Sequence, residues 1–202
     1  MTAITALLLD ADGVVQSPSK GWLAAITELC GPGFDPQQFI DAVFTAEQPC
    51  LRGNGDFATA LARELEAFDS PRSPAAALEV WTQIDPAPEI FALLPDITIP
   101  VCLATNQQSH RAHHMVATLD YAAIFDHLFI SCELGCVKPE PAYFRKVIER
   151  LDKTADELLF IDDHQTNVDA ARACGLNAER FELANGAERL REILHDYQVI
   201  DR

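Results

Sequence analysis

The sequence predicts an α/β fold: a Rossmann-like parallel sheet core with helices on both faces, plus a small all-helical cap inserted after strand one. Three observations predict it. Short apolar runs alternate with amphipathic stretches near the start and through the second half of the chain, as buried parallel strands joined by crossover helices do. Residues 16–90 break that alternation, with helical patterning and no convincing strand. Polar and acidic residues stop the apolar runs at their carboxyl ends, where open parallel sheets hold their ligands.

The run over 4–9 ends in Asp10-Ala11-Asp12-Gly13 and reads as a buried strand entering a tight turn. Helices are expected over 20–30, 36–47, 56–68 and 74–84, parted by Gly31-Pro32-Gly33, Gly53-Asn54-Gly55 and Ser70-Pro71. Strands follow over 100–104, 127–130 and 158–161, with a weaker one at 178–181. The helix-like stretches between and after them are 107–118, 141–151, 166–174 and 185–195. Residues 1–15 and 91–202 therefore make the expected core, and 16–90 an expected helical insertion.

Length and composition bound the function. The 202 residues suit one domain with a sizeable insertion, at about 150 residues per domain. Hydrophobic residues at 49% and charged ones at 23% exclude a disordered chain. Thirty-one acidic residues against 15 basic give a net charge of −16, which repels a phosphate backbone, so no nucleic-acid partner is expected. A local cation can still draw in a small anion. No apolar run approaches the ~20 residues of a membrane helix, and Asp10 stops the early run too soon for a signal-peptide core. No membrane partner is expected. The six cysteines, Cys30, Cys50, Cys102, Cys132, Cys136 and Cys174, contain no C-x-x-C. With no secretion signal they are expected to be reduced, in a cytoplasmic protein.

Asp10 and Asp12, Thr105 and Asn106, Lys138, and Asp162 with Asp163 all fall at strand ends or in the loops after them. Four carboxylates in one crevice repel, by about 4 kcal/mol for a pair 4 Å apart at an effective dielectric of 20. A hard divalent cation with oxygen ligands, Mg²⁺, removes that repulsion. The remaining groups suit phosphoryl transfer, which needs positioning and charge neutralisation around three oxygens. Lys138 can supply an ammonium, Thr105 a hydroxyl and Asn106 an amide, and the helix starting near Gln107 supplies free N–H groups. Asp10 can act as a carboxylate nucleophile, and Asp12 can move protons to the leaving oxygen and from water.

Asp10-Ala11-Asp12-Gly13-Val14, Thr105-Asn106, Lys138-Pro139-Glu140-Pro141 and Phe160-Ile161-Asp162-Asp163 resemble, in order, the four motifs of the haloacid dehalogenase superfamily. The stretch from Phe160 through His164-Gln165-Thr166-Asn167 to Gly175 is most similar to one branch, the sugar-phosphate phosphatases and the phosphatase domain of epoxide hydrolases. The resemblance implies roles. Asp10 would be the nucleophile and a Mg²⁺ ligand. Asp12 would be the acid/base, with its carbonyl on the metal. Asp163 would be a direct ligand, and Asp162 would act through water or by orienting Lys138. Thr105, Asn106 and Lys138 would hold the phosphoryl group. Asp12 also separates the chain from relatives that displace halide, which lack this second aspartate. Gln16 and Ser17 depart from the pattern, standing where many relatives carry an acidic or threonine residue.

The implied function is Mg²⁺-dependent hydrolysis of a small phosphorylated metabolite, a sugar phosphate first, through an aspartyl-phosphate. A phosphomutase is the alternative within the superfamily, and a non-catalytic receiver-like phosphate-binding module the alternative outside it. In the cap, Arg52 is the candidate for substrate contact, while Trp22 and Trp81 are expected in the cap core. His110, His113 and His114 are expected on a solvated helix face, and His164 follows the acidic pair directly.

Overall fold

The computed structural model describes residues 2–201. Its strands are β1 (Ala6–Leu9), β2 (Gln16–Pro18), β3 (Ile84–Pro86), β4 (Val101–Thr105), β5 (His127–Ile130), β6 (Leu158–Asp162) and β7 (Asn177–Arg180). The helices of the first half are α1 (Trp22–Thr27), α2 (Pro36–Glu47), α3 (Phe57–Ala67), α4 (Pro74–Trp81) and α5 (Pro88–Phe91). Those of the second half are α6 (Ser109–Ala117), α7 (Tyr121–Ile124), α8 (Ser131–Leu134), α9 (Pro141–Leu151), α10 (Gln165–Ala173) and α11 (Ala187–Asp196).

The main sheet is parallel, in the order β5-β4-β1-β6-β7. The first strand of the chain is thus its centre, paired with β4 on one side and β6 on the other. Every residue of β1, β4 and β6 is buried, as a sheet covered on both faces requires. Alternation divides the side chains. Leu7, Leu9, Leu103 and Ile161 face one layer, with Met115, Tyr121, Leu190 and Leu194. Ala6, Leu8, Cys102 and Phe160 face the other, with Tyr143, Phe144, Val147 and Val168. Carboxylates follow directly: β1 runs into Asp10 and β6 ends on Asp162, both at the same edge.

Helices α1 to α4 enclose a third apolar cluster of their own, including Ile26, Phe39, Val43, Phe57, Leu61, Leu65 and Trp81. Punctuation sets their limits. Asp35, Asp56 and Ser73 cap α2, α3 and α4 by accepting from Gln37, Thr59 and Ala76 backbone N–H groups. Proline occupies the first turn of α2 and α4.

One expectation is corrected. The stretch 16–90 is not all helical, because β2 and β3 pair antiparallel where the chain leaves the core and returns to it. Gln16, Ser17 and Pro18 face Pro86, Asp85 and Ile84. Three residues with proline at one end carry no readable alternation, so the ribbon is invisible in the sequence. It also ends α4 at Trp81 rather than 84, by drawing Ile84 into the pairing.

Leu8 is 1% exposed at the centre of the sheet. Leu8→Ala should cost about 2–5 kcal/mol, read as a lower midpoint in urea unfolding with an unchanged slope.

Candidate active site

At the carboxyl edge of the sheet lies a pocket of about 410 Å³, lined by Asp10, Asp12, Gly13, Pro18, Thr105, Asn106, Lys138, Asp163, His164 and Asn167. Lys138 sits at its floor, only 3% exposed. Its Nζ lies 2.8 Å from Asp10 Oδ1 and 2.6 Å from Asp162 Oδ2, and donates to the Ala104 carbonyl at 2.7 Å. The ring of Phe160 closes it from beneath, 5.2 Å from the ammonium. Burial opposes the Lys138 charge, but Asp10 and Asp162 outweigh it and raise the pKa above the ordinary lysine value.

Asp10 Oδ1 also accepts from the Ala11 N–H at 2.7 Å. No side-chain or backbone donor binds its Oδ2 among the described residues. Burial pushes this carboxyl up to about 7, with Lys138 pulling the other way. Asp162 is saturated. Its Oδ1 accepts from the His164 N–H and from Asn167 Nδ2, and its Oδ2 from Lys138 and again Asn167. Asp163 differs: its Oδ1 is buried with no hydrogen-bond partner, and burial raises its pKa. A Cβ on Gly13 would stand 2.6 Å from Asp163 Oδ2, and Gly13 has φ +80°. Glycine there leaves room for the carboxylate and permits the left-handed turn.

One oxygen each from Asp10, Asp162 and Asp163 can gather within 4.8 Å of one another, the one such group among the described residues. All donors are oxygens, and one of them is buried and orphaned. The set fits a hard divalent cation such as Mg²⁺.

Asp12 lies at the pocket's rim and is held by three donors. Gln16 Nε2 (2.9 Å) and Arg111 (2.8 Å) bind its Oδ1, and Gln107 Nε2 (2.7 Å) binds its Oδ2. Gln16 is itself fixed by the Tyr121 hydroxyl, at 2.9 Å. The departure from the family pattern at Gln16 is therefore a buried clamp on Asp12. Glu47, at the end of α2, is buried beside this group. Burial pushes it up to about 7, against the pull of the Arg111 charge.

All seven core residues singled out in the sequence come to this edge, with different engagements. Thr105 and Asn106 line the pocket at the end of β4. The Asn106 side chain is occupied by the Lys138 backbone, accepting its N–H at 2.9 Å and donating to its carbonyl at 2.8 Å. Arg52 does not line this pocket. It binds Glu140 Oε1 through Nε (3.2 Å) and Nη2 (2.6 Å), joining the helical segment to the loop after Lys138. Gly53 follows at φ +72°, where a Cβ would meet the Cys132 carbonyl at 2.4 Å. His110 Nε2 lies 3.1 Å from the Leu78 carbonyl of α4, so this histidine faces the helical segment and not bulk water. His164 is exposed, 3.7 Å from Asp163. Trp81 packs on Phe57 in the helical cluster, and Trp22 is half-buried at its margin. All six cysteines are free thiols.

Sequence reading missed Arg111 and Glu47. For Arg111 a signal existed: it stands four residues after Gln107, on the helical face that follows the Thr105-Asn106 strand end. For Glu47 there was none.

With this geometry, residues 4–175 match the family model for haloacid dehalogenase-like hydrolases, and the chain belongs to that family. A phosphoglycolate phosphatase of Pectobacterium atrosepticum is 26% identical over 87% of this chain and 79% of its own length. The bifunctional epoxide hydrolase 2 of Rattus norvegicus is 38% identical over 26% of this chain, a match spanning 9% of that longer protein. Among solved structures, the magnesium complex of a HAD family enzyme from Bacteroides thetaiotaomicron superposes with TM-score 0.78. It is 19% identical, covering 94% of this chain and 99% of that one. An L-2-haloacid dehalogenase from Xanthobacter autotrophicus superposes with TM-score 0.65 and 20% identity, over 95% and 82%. Likeness at these identities shows the fold. Among the described residues no helix is long and apolar enough to cross a membrane.

Glu47 gives a pH test. A carboxyl whose pKa rises on folding favours the fold while protonated. That contribution is complete below its ordinary value of 4.5 and lost as pH rises to about 7. Glu47→Gln stays neutral throughout. It should gain on wild type between pH 5 and 7, by on the order of 1 kcal/mol per pH unit, in urea unfolding of the metal-free proteins. A flat difference would mean that Glu47 titrates as it does in water.

Proposed function

We propose that the protein is a Mg²⁺-dependent phosphatase hydrolysing a small phosphorylated metabolite through an aspartyl-phosphate on Asp10. The observation that carries this reading is one buried ammonium shared by two carboxylates, beside a third carboxylate with an orphaned buried oxygen. Asp12, two residues on, supports it over halide displacement. The phosphoglycolate phosphatase relative supports the reaction class, and the magnesium complex of the Bacteroides enzyme, which shares the fold, is consistent with the choice of ion.

Asp10, Asp162 and Asp163 would hold the ion, Asp163 directly and Asp162 through water or by fixing Lys138. The ion would neutralise the carboxylates and the phosphoryl oxygens as charge shifts between them. Asp10 Oδ2 attacks phosphorus while Lys138 and the Ala11 N–H hold Oδ1, which fixes the direction of attack. As the bond to the leaving oxygen breaks, Asp12 gives that oxygen a proton. Asp12 then takes a proton from water, the water oxygen bonds to phosphorus, and the bond to Asp10 breaks. Lys138, the Thr105 hydroxyl and the backbone at Asn106 bind the phosphoryl oxygens. We assign the Asn106 side chain to holding the Lys138 loop rather than to the substrate. Residues 16–90 act as the cap over this edge. The phosphoryl pocket accepts any small monoester, a sugar phosphate included, and the leaving-group side chooses among them. The charge of −16 disfavours polyanionic partners.

Asp10→Asn should lose at least ~10³ in turnover, about 4 kcal/mol of barrier, in protein that circular dichroism shows folded at the assay temperature, with an unfolding midpoint lowered because Lys138 loses one of its two carboxylates. Residual activity within tenfold of wild type would place the nucleophile elsewhere. Excess chelator should abolish phosphate release and Mg²⁺ should restore it. In Mg²⁺ titrations of rate, Asp163→Asn should need more metal than Asp162→Asn does, because a direct ligand acts at contact distance. The opposite order would exchange the two roles.

A further inference from the structure

A second pocket, about 260 Å³, adjoins the first, and the two share Asp12 and Pro18. Its other walls are Trp22 of α1, Phe44 of α2, Trp81 of α4, Ile84 of β3 and Arg111 of α6. We propose that this pocket takes an apolar leaving group, so that the preferred substrate is a phosphate monoester of a short alkyl, branched or aryl alcohol rather than of a polyol. The inference rests on the phosphatase reading and names the substrate class of that site.

Position comes first. Asp12 stands at the junction of the two pockets. A proton donor there reaches the oxygen that bridges phosphorus and leaving group when the phosphoryl end lies before Asp10 and the alcohol lies among the rings. The chemistry of the walls comes second. Trp22, Phe44, Trp81, Ile84 and Pro18 offer no acceptor, and only the indole N–H groups as donors. The two polar walls are largely committed. Arg111 binds Asp12 through Nη2, while its Nε is buried without a partner among the described residues, and Asp12 accepts from Gln16, Gln107 and Arg111. A polyol would bring several hydroxyls to a wall with few partners, and each one buried unpaired costs roughly tenfold or more. An alkyl group has no such cost and gains about fourfold per methylene buried. Phe44 is 40% exposed, so an apolar occupant would cover surface that now meets water. The limited volume favours short groups, near or below the low end of ordinary ligand cavities, roughly 300 Å³.

Propyl phosphate and glycerol 3-phosphate share a three-carbon chain and differ in two hydroxyls, which make glycerol the better leaving group. Phosphate release with Mg²⁺ should nevertheless give a kcat/KM at least ~10-fold higher for propyl phosphate, rising from methyl through pentyl phosphate. Equal or faster hydrolysis of glycerol 3-phosphate or ribose 5-phosphate would overturn the proposal. A binding readout is independent of turnover, because Trp22 and Trp81 are the only tryptophans in the chain. Propylphosphonate should shift their fluorescence at a concentration at least ~10-fold lower than 2,3-dihydroxypropylphosphonate does, and the reverse order would overturn the proposal. Phe44→Ser, at an exposed position, should keep the unfolding midpoint and bring the propyl-to-glycerol ratio down at least threefold. An unchanged ratio in the folded variant would remove Phe44 from the pocket and overturn the assignment. Failure of every monoester, phenyl phosphate included, to release phosphate with Mg²⁺ would overturn the phosphatase reading itself, and the leaving-group assignment with it.

Discussion

Burying a lone ammonium costs several kcal/mol even after the surroundings relax, and Lys138 is almost wholly buried. Its charge survives only because Asp10 and Asp162 both touch it and the Ala104 carbonyl accepts a further hydrogen bond from it. That requirement binds three strands at one point. Asp10 extends β1, Asp162 ends β6 and Ala104 lies in β4, so the sheet order that puts β1 in the middle also brings the three partners together. Asn106 fixes the loop that delivers the lysine, and Phe160 fills the space beneath it. Removal of either carboxylate would leave charge unbalanced in a place water does not reach.

The same balance explains why one carboxylate is left over. Asp10 and Asp162 share a single cation, while Asp163 has a buried oxygen without a donor. Burial, with the neighbouring Asp162 charge, therefore raises the pKa of both Asp10 and Asp163. In the proposed function a divalent ion held here would make the ionised forms favourable. Gly13 leaves room for the Asp163 carboxylate, and its left-handed φ turns the chain away from the strand end.

Much of this was legible in the sequence, for a physical reason. Strand ends are marked by the change from apolar to acidic residues, and a parallel sheet sends all such ends to one edge, so Asp10, Asp12, Thr105, Lys138 and Asp162 could be placed without coordinates. Side-chain engagement was not legible. The Asn106 amide looks equally able to bind phosphate or backbone, and only the fold shows it spent on Lys138. Arg52 and Glu140 lie 88 residues apart, and nothing local says that they pair. Trp22 and Trp81 read as core because large aromatic residues in a small helical insertion more often fill its core than face a substrate. Trp81 does pack in that core, yet both rings also wall the second pocket. The β2–β3 ribbon escaped because pairing between residues 16 and 86 has no sequence period.

Asp12 is where the legible and illegible parts meet. Its position after Asp10 is a sequence feature, but its environment is assembled from β2, α6 and the loop before α6, with Glu47 of α2 behind Arg111. The role proposed for Asp12, giving up a proton and then taking one, needs a carboxyl held in place without being buried. Three donors give that rigidity, and the rim position keeps it in reach of water. On one side of it the site is polar and built for charge. On the other it is aromatic. In the proposed reaction a proton passed at that boundary would go to an oxygen whose charge is rising just where the dielectric falls, and there an unneutralised alkoxide would be most costly. Arg111 extends the boundary into the helical segment through the neighbouring Glu47. The helical segment therefore bears on the electrostatics of Asp12, through Glu47 and Arg111, as well as walling the second pocket.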